Sequence, residues 1–96
     1  MKNALTPAEI SDFSKANPEW RVHEGKLQRE WSFKDFVAAM AFVNGVATIA
    51  EAAGHHPDID IRYNRVLLAL VSHDADGITA RDTALASHLG NEFPTR

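Results

Sequence analysis

The sequence predicts a single two-layer α+β domain: a four-stranded antiparallel sheet with three helices packed on one face. Three segments carry the signature of a helix start, and each stretch between them contains two short runs with the pattern of a β-strand. In the order helix-hairpin-helix-hairpin-helix, single strands do not alternate with helices, as they do in parallel sheets. A chain of 96 residues is long enough for one core, so we expect one domain over residues 1–96.

Capping and periodicity predict the first helix and the first hairpin. Thr6 and Glu9 match a capping box, and Pro7 lies in the first turn, where its missing N–H is harmless. We expect the helix to end near Ala16, before an Asn-Pro pair. Two strands should follow around a Glu24-Gly25 turn. Their alternating residues are Trp20, Val22, Leu27, Arg29, Trp31 and Phe33.

The second helix is predicted from a second capping box, formed by Ser32 and Asp35. Apolar residues then recur at the spacing of one helix face and form one apolar stripe. Its members are Phe36, Met40, Val43, Ala47 and Ala50. Gly54 supplies a left-handed stop at the end of this helix.

A second hairpin is expected after this helix. Residues 58–63 alternate in polarity, and Asn64 turns the chain into the nearly continuous apolar run of residues 66–72, which suits a central strand. The phase of Tyr63 with Ile59 and Ile61 favours a position in the core.

The third helix is expected over residues 80–89. Thr79 and Asp82 form a third capping box at its start, and Gly90-Asn91 should end it.

Composition excludes several classes of function. The net charge of −3 and the scattered Lys and Arg residues argue against direct nucleic-acid binding. The absence of cysteine excludes disulfides, thiolate catalysis and cysteine-type zinc sites. The longest weakly polar run, residues 36–53, is interrupted by polar residues and a glycine, and no signal pattern is visible at the N-terminus. We therefore expect a cytoplasmic protein that does not bind a membrane.

Three histidines fall at the ends of predicted elements, where functional groups usually lie. His55 and His56 follow the second helix directly, and His73 closes the last strand. Glu51 lies one helical turn before His55, so its carboxylate could orient an imidazole, and Asp82 follows in the first turn of the last helix. Histidine titrates near neutral pH, so the set suits proton transfer to a small molecule.

Each of these residues also has a purely structural interpretation. A histidine at a helix C-terminus interacts with the helix dipole, Glu51 could be a solvated helix residue, and Pro57 could serve only to end the helix. Asp82 could act only as a capping residue. His23 and His88 are interpreted as structural or surface residues, and Ser72 and Ser87 have no evident nucleophile setting.

A metal site is the more specific alternative, because three imidazoles and a carboxylate could hold zinc. Adjacent histidines rarely point the same way, however, and the spacing differs from the helical His-x-x-x-His pattern of zinc sites. The sequence therefore favours a site without metal.

The spacing of these residues resembles the signature of the pterin-4a-carbinolamine dehydratase family. The matching pattern is Glu51-x3-His55-His56-Pro57-x5-Tyr63-x9-His73-x8-Asp82. Further similarity lies in Trp20, in the Glu24-Gly25 turn, in residues 33–36 and in residues 77–79. The resemblance covers nearly the whole chain.

The resemblance implies an enzyme that removes water from a 4a-hydroxytetrahydropterin to give the quinonoid dihydropterin, in tetrahydropterin recycling. No redox cofactor or metal is implied. His55 and His73 would be the proton-transfer pair, His56 would bind the pterin or share in the transfer, and Pro57 would help to form the binding site. The supporting carboxylates would be Glu51 and Asp82.

The family resemblance also bears on partners and substrate. It implies a homo-oligomer, a dimer of dimers, and it keeps open an alternative function as a non-catalytic binding or assembly protein with a protein partner. Residues 58–61 depart from the family, because some members carry an aromatic residue there. The exact pterin therefore stays open.

Overall fold

The computed structural model describes residues 3–94, which form three helices and four strands. The helices are α1 (Pro7–Ala16), α2 (Phe36–Ala53) and α3 (Ala80–Glu92). The strands are β1 (Arg21–His23), β2 (Lys26–Ser32), β3 (Asp58–Arg62) and β4 (Arg65–Leu70). Capping fixes the start of α1 as the sequence predicts, because the Thr6 hydroxyl accepts the Glu9 N–H and the Glu9 carboxylate accepts the Thr6 N–H.

The four strands form one antiparallel sheet in the order β1-β2-β4-β3. In the central pair, Leu27 of β2 lies opposite Leu70 of β4, and Ser32 lies opposite Arg65. The apolar run of β4 is explained by this central position, whereas all of β3, at the sheet edge, is exposed. The predicted α+β class and element order are confirmed.

The core lies between one face of the sheet and the helices. Alternate residues of β2 and β4 contribute Leu27, Trp31, Val66, Leu68 and Leu70, all of them buried. They pack in one cluster with residues of α2 and α3, which include Ala39, Phe42, Val46, Leu85, Ala86 and Leu89. The packing brings α3 against α2 on the same face of the sheet.

The predicted capping box of α2 is wrong, and its predicted apolar stripe is only partly correct, because Ala50 is buried and Val43 packs against the core. Ser32 still belongs to β2, and Asp35 caps the helix by accepting the Ala38 N–H at 2.9 Å. The buried face consists of Ala39, Phe42, Val46 and Ala50. Phe36 and Ala47 are exposed. The helix is apolar on most of its sides, so periodicity alone does not single out the face that packs on the sheet.

Tyr63 lies outside the core, contrary to its predicted position. Arg62 pairs with Arg65, so Tyr63 and Asn64 form the two-residue turn of the hairpin. Tyr63 has φ +54° and an exposed side chain. The alternation of β3 therefore ends one residue before Tyr63.

The predicted end of α3 is also wrong, because the helix passes through Gly90 to Glu92. Phe93 N–H donates to Leu89 O at 2.9 Å and so continues the helical ladder past the glycine. A Cβ on Gly90 would lie 3.2 Å from Nη1 of Arg29. Gly90 therefore provides room for a side chain of β2 rather than a helix stop.

Candidate active site

The end of α2 places two adjacent imidazoles in different surroundings. Gly54 adopts φ +66°, the left-handed conformation that ends a helix, and its N–H donates to the carbonyls of Ala50 and Glu51. His55 N–H donates to Ala50 O at 3.2 Å. The chain then leaves the helix, with the His55 side chain 13% exposed and the His56 side chain 64% exposed.

His55 contacts a buried carboxylate. Its Nε2 lies 2.5 Å from Oδ1 of Asp82, whose side chain is 0% exposed. A fully buried carboxylate requires hydrogen-bond donors at both oxygens, and His55 supplies the donor at one of them. The hydrogen bond joins the end of α2 to the first turn of α3.

The other oxygen of Asp82 is held by the loop that leads into α3. Oδ2 accepts the Thr79 N–H at 2.8 Å and the Ser72 hydroxyl at 2.9 Å. The loop is closed by hydrogen bonds in both directions between the backbones of Ser72 and Gly77. Asp82 therefore has both of the roles that the sequence offered as alternatives, since it caps α3 and binds an imidazole.

Glu51 binds the other histidine of the pair. Its Oε1 lies 2.8 Å from Nε2 of His56, and the carboxylate is 81% exposed. The carboxylate one turn before the helix end thus contacts His56 rather than His55. An ion pair this exposed holds its partners weakly.

His73 lies in a short 3₁₀ turn, His73–Ala75, that follows β4. Its side chain is exposed and makes no hydrogen bond with residues 3–94. The next residue, Asp74, accepts a hydrogen bond of 2.6 Å from Nη2 of Arg81 on α3. The turn that carries His73 is thereby tied to the residue next to Asp82.

A cavity of about 230 Å³ borders His55. Its lining residues are Ala53, His55, Arg81, Ala84, Leu85 and His88. Among residues 3–94, Nε of Arg81 is the single buried side-chain nitrogen or oxygen without a hydrogen-bond partner. Because Arg81 lines the cavity, its guanidinium is a candidate to bind a ligand there.

Sequence reasoning missed three residues of this region. The sequence marks Ser72 only as a residue to test as a nucleophile and Thr79 only as a helix cap, and it does not single out Arg81. Arg81 is adjacent to Asp82, and Ser72 is adjacent to His73, which is the only signal that the sequence offers for them.

Several predicted site residues are placed but not brought together. Pro57 is half-buried between His56 and β3, and the structure shows no direct hydrogen bond between any two of His55, His56 and His73 within the described chain. Residues 3–94 hold no group of three or more His, Cys, Asp or Glu side chains arranged to bind a metal ion. The roles of these residues stay predictions.

The chain is similar to a family of known proteins over almost its whole length. The family model for pterin 4 alpha carbinolamine dehydratase matches residues 3–91. A protein of Acidobacterium capsulatum, provisionally named pterin-4-alpha-carbinolamine dehydratase, is 58% identical over 85 residues, or 88% of this chain and 92% of that protein. A protein of Koribacter versatilis with the same provisional name is 46% identical over 94 residues, or 98% and 100% of the two chains.

Two solved structures have similar folds. The crystal structure of a transcriptional coactivator/pterin dehydratase from Brucella melitensis has a TM-score of 0.86 and 33% sequence identity, and the match covers 93% of this chain and 97% of that one. A pterin dehydratase-like protein described as a RuBisCO assembly factor in the alpha-carboxysome has a TM-score of 0.66 at 20% identity, with 81% and 93% covered, and so shares the fold. The family resemblance predicted from the sequence is confirmed, and the chain belongs to the pterin-4-alpha-carbinolamine dehydratase family.

Proposed function

We propose that the protein removes water from a 4a-hydroxytetrahydropterin and gives the quinonoid dihydropterin, in tetrahydropterin recycling. In this reaction the C4a–O bond breaks as the hydroxyl takes up a proton, N5 loses its proton, and a C4a=N5 double bond forms. The catalyst therefore needs one group that gives a proton and one that accepts a proton.

The observation that carries the proposal is the contact between His55 and the buried Asp82. A carboxylate behind an imidazole fixes the orientation of the ring and stabilises its protonated form. His55 borders a cavity, so its ring is available to a ligand as well as to Asp82. The pair has the geometry of a general acid-base group.

His73 and His56 complete the proposal. We assign His73 as the second proton-transfer residue, since its side chain is free to meet a ligand, and His56 with Pro57 as residues that bind the pterin. Glu51 would orient His56 through its hydrogen bond of 2.8 Å. The motif of the family supports these roles, and no single contact between the histidines carries them.

A dehydration assay on a 4a-hydroxytetrahydropterin tests the function. We expect the purified protein to exceed the spontaneous rate and His55→Ala to lower kcat by about 10²- to 10⁴-fold, the range that general acid-base groups supply. His23→Ala is the matched control, because His23 is an exposed histidine on β1, and it should keep full activity. The proposal is wrong if the protein only matches the spontaneous rate, or if His55→Ala and His73→Ala both keep full activity.

A second candidate function is the binding or assembly of a protein partner. The description of the Brucella melitensis structure names a coactivator role beside the dehydratase role. The outer face of α2 offers exposed apolar side chains, with Val37 75% exposed and Phe36 49% exposed. In this case the same assay would show no catalysis, and Val37→Lys would remove binding of the partner.

We also propose that the protein acts in the cytoplasm. By length and composition alone, α2 is apolar enough to cross a membrane. Its residues Ala39, Phe42 and Val46, however, belong to the core cluster, which supports a core helix of a globular protein. Separation of cell lysate into soluble and membrane fractions tests this proposal, and recovery of the protein in the membrane fraction would refute it.

A further inference from the structure

Two hydroxyl groups lie close to the Asp82 carboxylate that binds His55. Ser72 is 2% exposed and Thr79 is 4% exposed, so both hydroxyls are shielded from water. Ser72 Oγ lies 2.9 Å from Oδ2 of Asp82 and 2.8 Å from Oγ1 of Thr79. Thr79 Oγ1 in turn accepts the Arg81 N–H at 3.2 Å.

The number of available protons gives this chain of hydrogen bonds one direction. Each hydroxyl has a single proton to donate. Thr79 Oγ1 lies 3.5 Å from Oδ2 of Asp82, too far for a good O–H···O hydrogen bond, whereas Ser72 Oγ is at 2.9 Å. The Ser72 proton therefore goes to Asp82, and the Thr79 proton goes to Ser72.

The Asp82 carboxylate, held in place by these donors, determines which nitrogen of the His55 ring carries the hydrogen. Oδ2 of Asp82 already receives the Ser72 hydroxyl and the Thr79 N–H, and Oδ1 faces Nε2 of His55. Because an ionised carboxylate only accepts hydrogen bonds, Nε2 must be the donor. The neutral imidazole then carries its hydrogen on Nε2 and a lone pair on Nδ1.

Nδ1 of His55 is the ring atom that a ligand can reach. It makes no hydrogen bond with residues 3–94, and it is not completely buried. The ring is thus held at one nitrogen and open at the other.

We infer that Ser72 is a positioning residue of this site: its hydroxyl orients Asp82, which fixes His55 as the Nε2–H tautomer and leaves Nδ1 to exchange a proton with the ligand. The proton exchange at Nδ1 rests on the proposed dehydratase function. The tautomer itself is a property of the protein without ligand.

The backbone of the loop is held independently of this hydroxyl. Ser72 N–H donates to Gly77 O at 3.0 Å, and Gly77 N–H donates to Ser72 O at 3.3 Å. Both hydrogen bonds remain in Ser72→Ala, which loses one oxygen atom. The substitution therefore tests the hydroxyl rather than the path of the loop.

Long-range ¹H–¹⁵N NMR of histidine-labelled protein tests the inference. The spectrum is recorded well above the ordinary pKa of histidine, and the His55 signals are assigned by comparison with His55→Gln. We expect the wild type and Ser72→Thr to show the Nε2–H form of His55. Ser72→Ala should show a mixture of the two tautomers, because the Asp82 carboxylate that has lost one of its donors can turn away from Nε2. Ser11→Ala, an exposed serine of α1, is the matched control and should give the wild-type spectrum.

Turnover gives a second readout. We expect Ser72→Ala to lower kcat roughly tenfold with little change in KM, because Ser72 acts on Asp82 and not on the ligand, and Ser72→Thr to restore kcat. Nδ1–H as the main form in the wild type would overturn the inference even if Ser72→Ala fails to fold. A wild-type spectrum and wild-type kcat in Ser72→Ala would also overturn it. The expected spectra of both the wild type and Ser72→Ala, in a protein without dehydration activity, would refute the proposed function and support the assignment of Ser72.

Discussion

His55 and Asp82 are 27 positions apart in the chain, yet Nε2 of one lies 2.5 Å from Oδ1 of the other. The contact depends on two separate helix ends. His55 follows the left-handed stop of α2, and Asp82 lies in the capping box of α3. Packing of both helices on one face of the sheet brings these ends together. The proposed acid-base group is therefore a product of the tertiary fold.

The two histidine-carboxylate pairs should differ in their importance for catalysis. Asp82→Asn removes the charge of a fully buried partner of His55, whereas Glu51→Gln alters a carboxylate that is 81% exposed and already screened by water. We expect Asp82→Asn to lower kcat by at least about tenfold and Glu51→Gln to lower it only a few-fold. Steady-state dehydration kinetics of both variants measure the difference, and equal losses would contradict this ranking.

The same pair of variants should differ in stability. Asp82 accepts hydrogen bonds from Ser72, Thr79 and His55 in a site closed to water, so an amide at this position leaves at least one group without a suitable partner. We expect Asp82→Asn to lower the free energy of unfolding by about 1–3 kcal/mol. Glu51→Gln should change it by less than about 1 kcal/mol. Urea unfolding followed by circular dichroism gives both values, and an unchanged midpoint for Asp82→Asn would contradict the geometry of the site.

The ion pair between Arg81 and Asp74 should matter more for activity than for stability. Its atoms are 2.6 Å apart, but both side chains are more than one-third exposed, so we expect Arg81→Ala to cost only about 0.2–1 kcal/mol of stability. Loss of the pair removes one of the contacts that hold the turn that carries His73, and it removes Arg81 from the cavity beside His55. We therefore expect a higher KM and a lower kcat, measured in the same dehydration assay.

A charge exchange separates these two effects of Arg81. The double variant Asp74→Arg with Arg81→Asp restores an ion pair but not the guanidinium in the cavity. Recovery of kcat without recovery of KM would show that the ion pair positions His73 and that the guanidinium contacts the ligand. Wild-type kinetics in Arg81→Ala would exclude both roles.

Local rules predict most of the fold, and they fail where a residue satisfies two of them. Ser32 and Asp35 match a capping box, but Ser32 lies opposite Arg65 in the sheet, so the cap moves to Asp35. Tyr63 matches the alternation of β3, but the hairpin needs a two-residue turn at its position. In both cases pairing with a distant strand decides the structure, and a local pattern does not contain this information.

The same limit of local patterns applies to the candidate site. Spacing identifies His55 and Asp82 as residues of interest, and a helix-end histidine one turn after Glu51 predicts a carboxylate contact. Which carboxylate meets which imidazole depends on the packing of α2 against α3, which no local pattern specifies. Ser72 is missed for the same reason, since its hydroxyl acquires a role only when β4 and α3 are placed side by side.

The outer face of α2 should be covered by another copy of the chain. Val37 is 75% exposed, and the helix is apolar on sides that do not meet the core. We expect a homotetramer in solution, built as a dimer of dimers. Val37→Lys should lower the mass of the assembly, because it places a charge in the contact between copies. Size-exclusion chromatography with light scattering measures both masses. A monomeric wild type would refute the assembly, and an unchanged tetramer in Val37→Lys would place the contact elsewhere.

The corrected start of α2 gives a stability test with a matched control. The Asp35 carboxylate accepts the Ala38 N–H at 2.9 Å, so Asp35→Ala should lower the free energy of unfolding by about 0.5–2 kcal/mol, the usual value of an N-cap. Ser32 is an exposed residue at the end of β2, and Ser32→Ala should change the free energy by less than about 0.5 kcal/mol. Urea unfolding of the two variants distinguishes the caps. A larger loss for Ser32→Ala than for Asp35→Ala would restore the capping box predicted from the sequence and contradict the helix start in the structure.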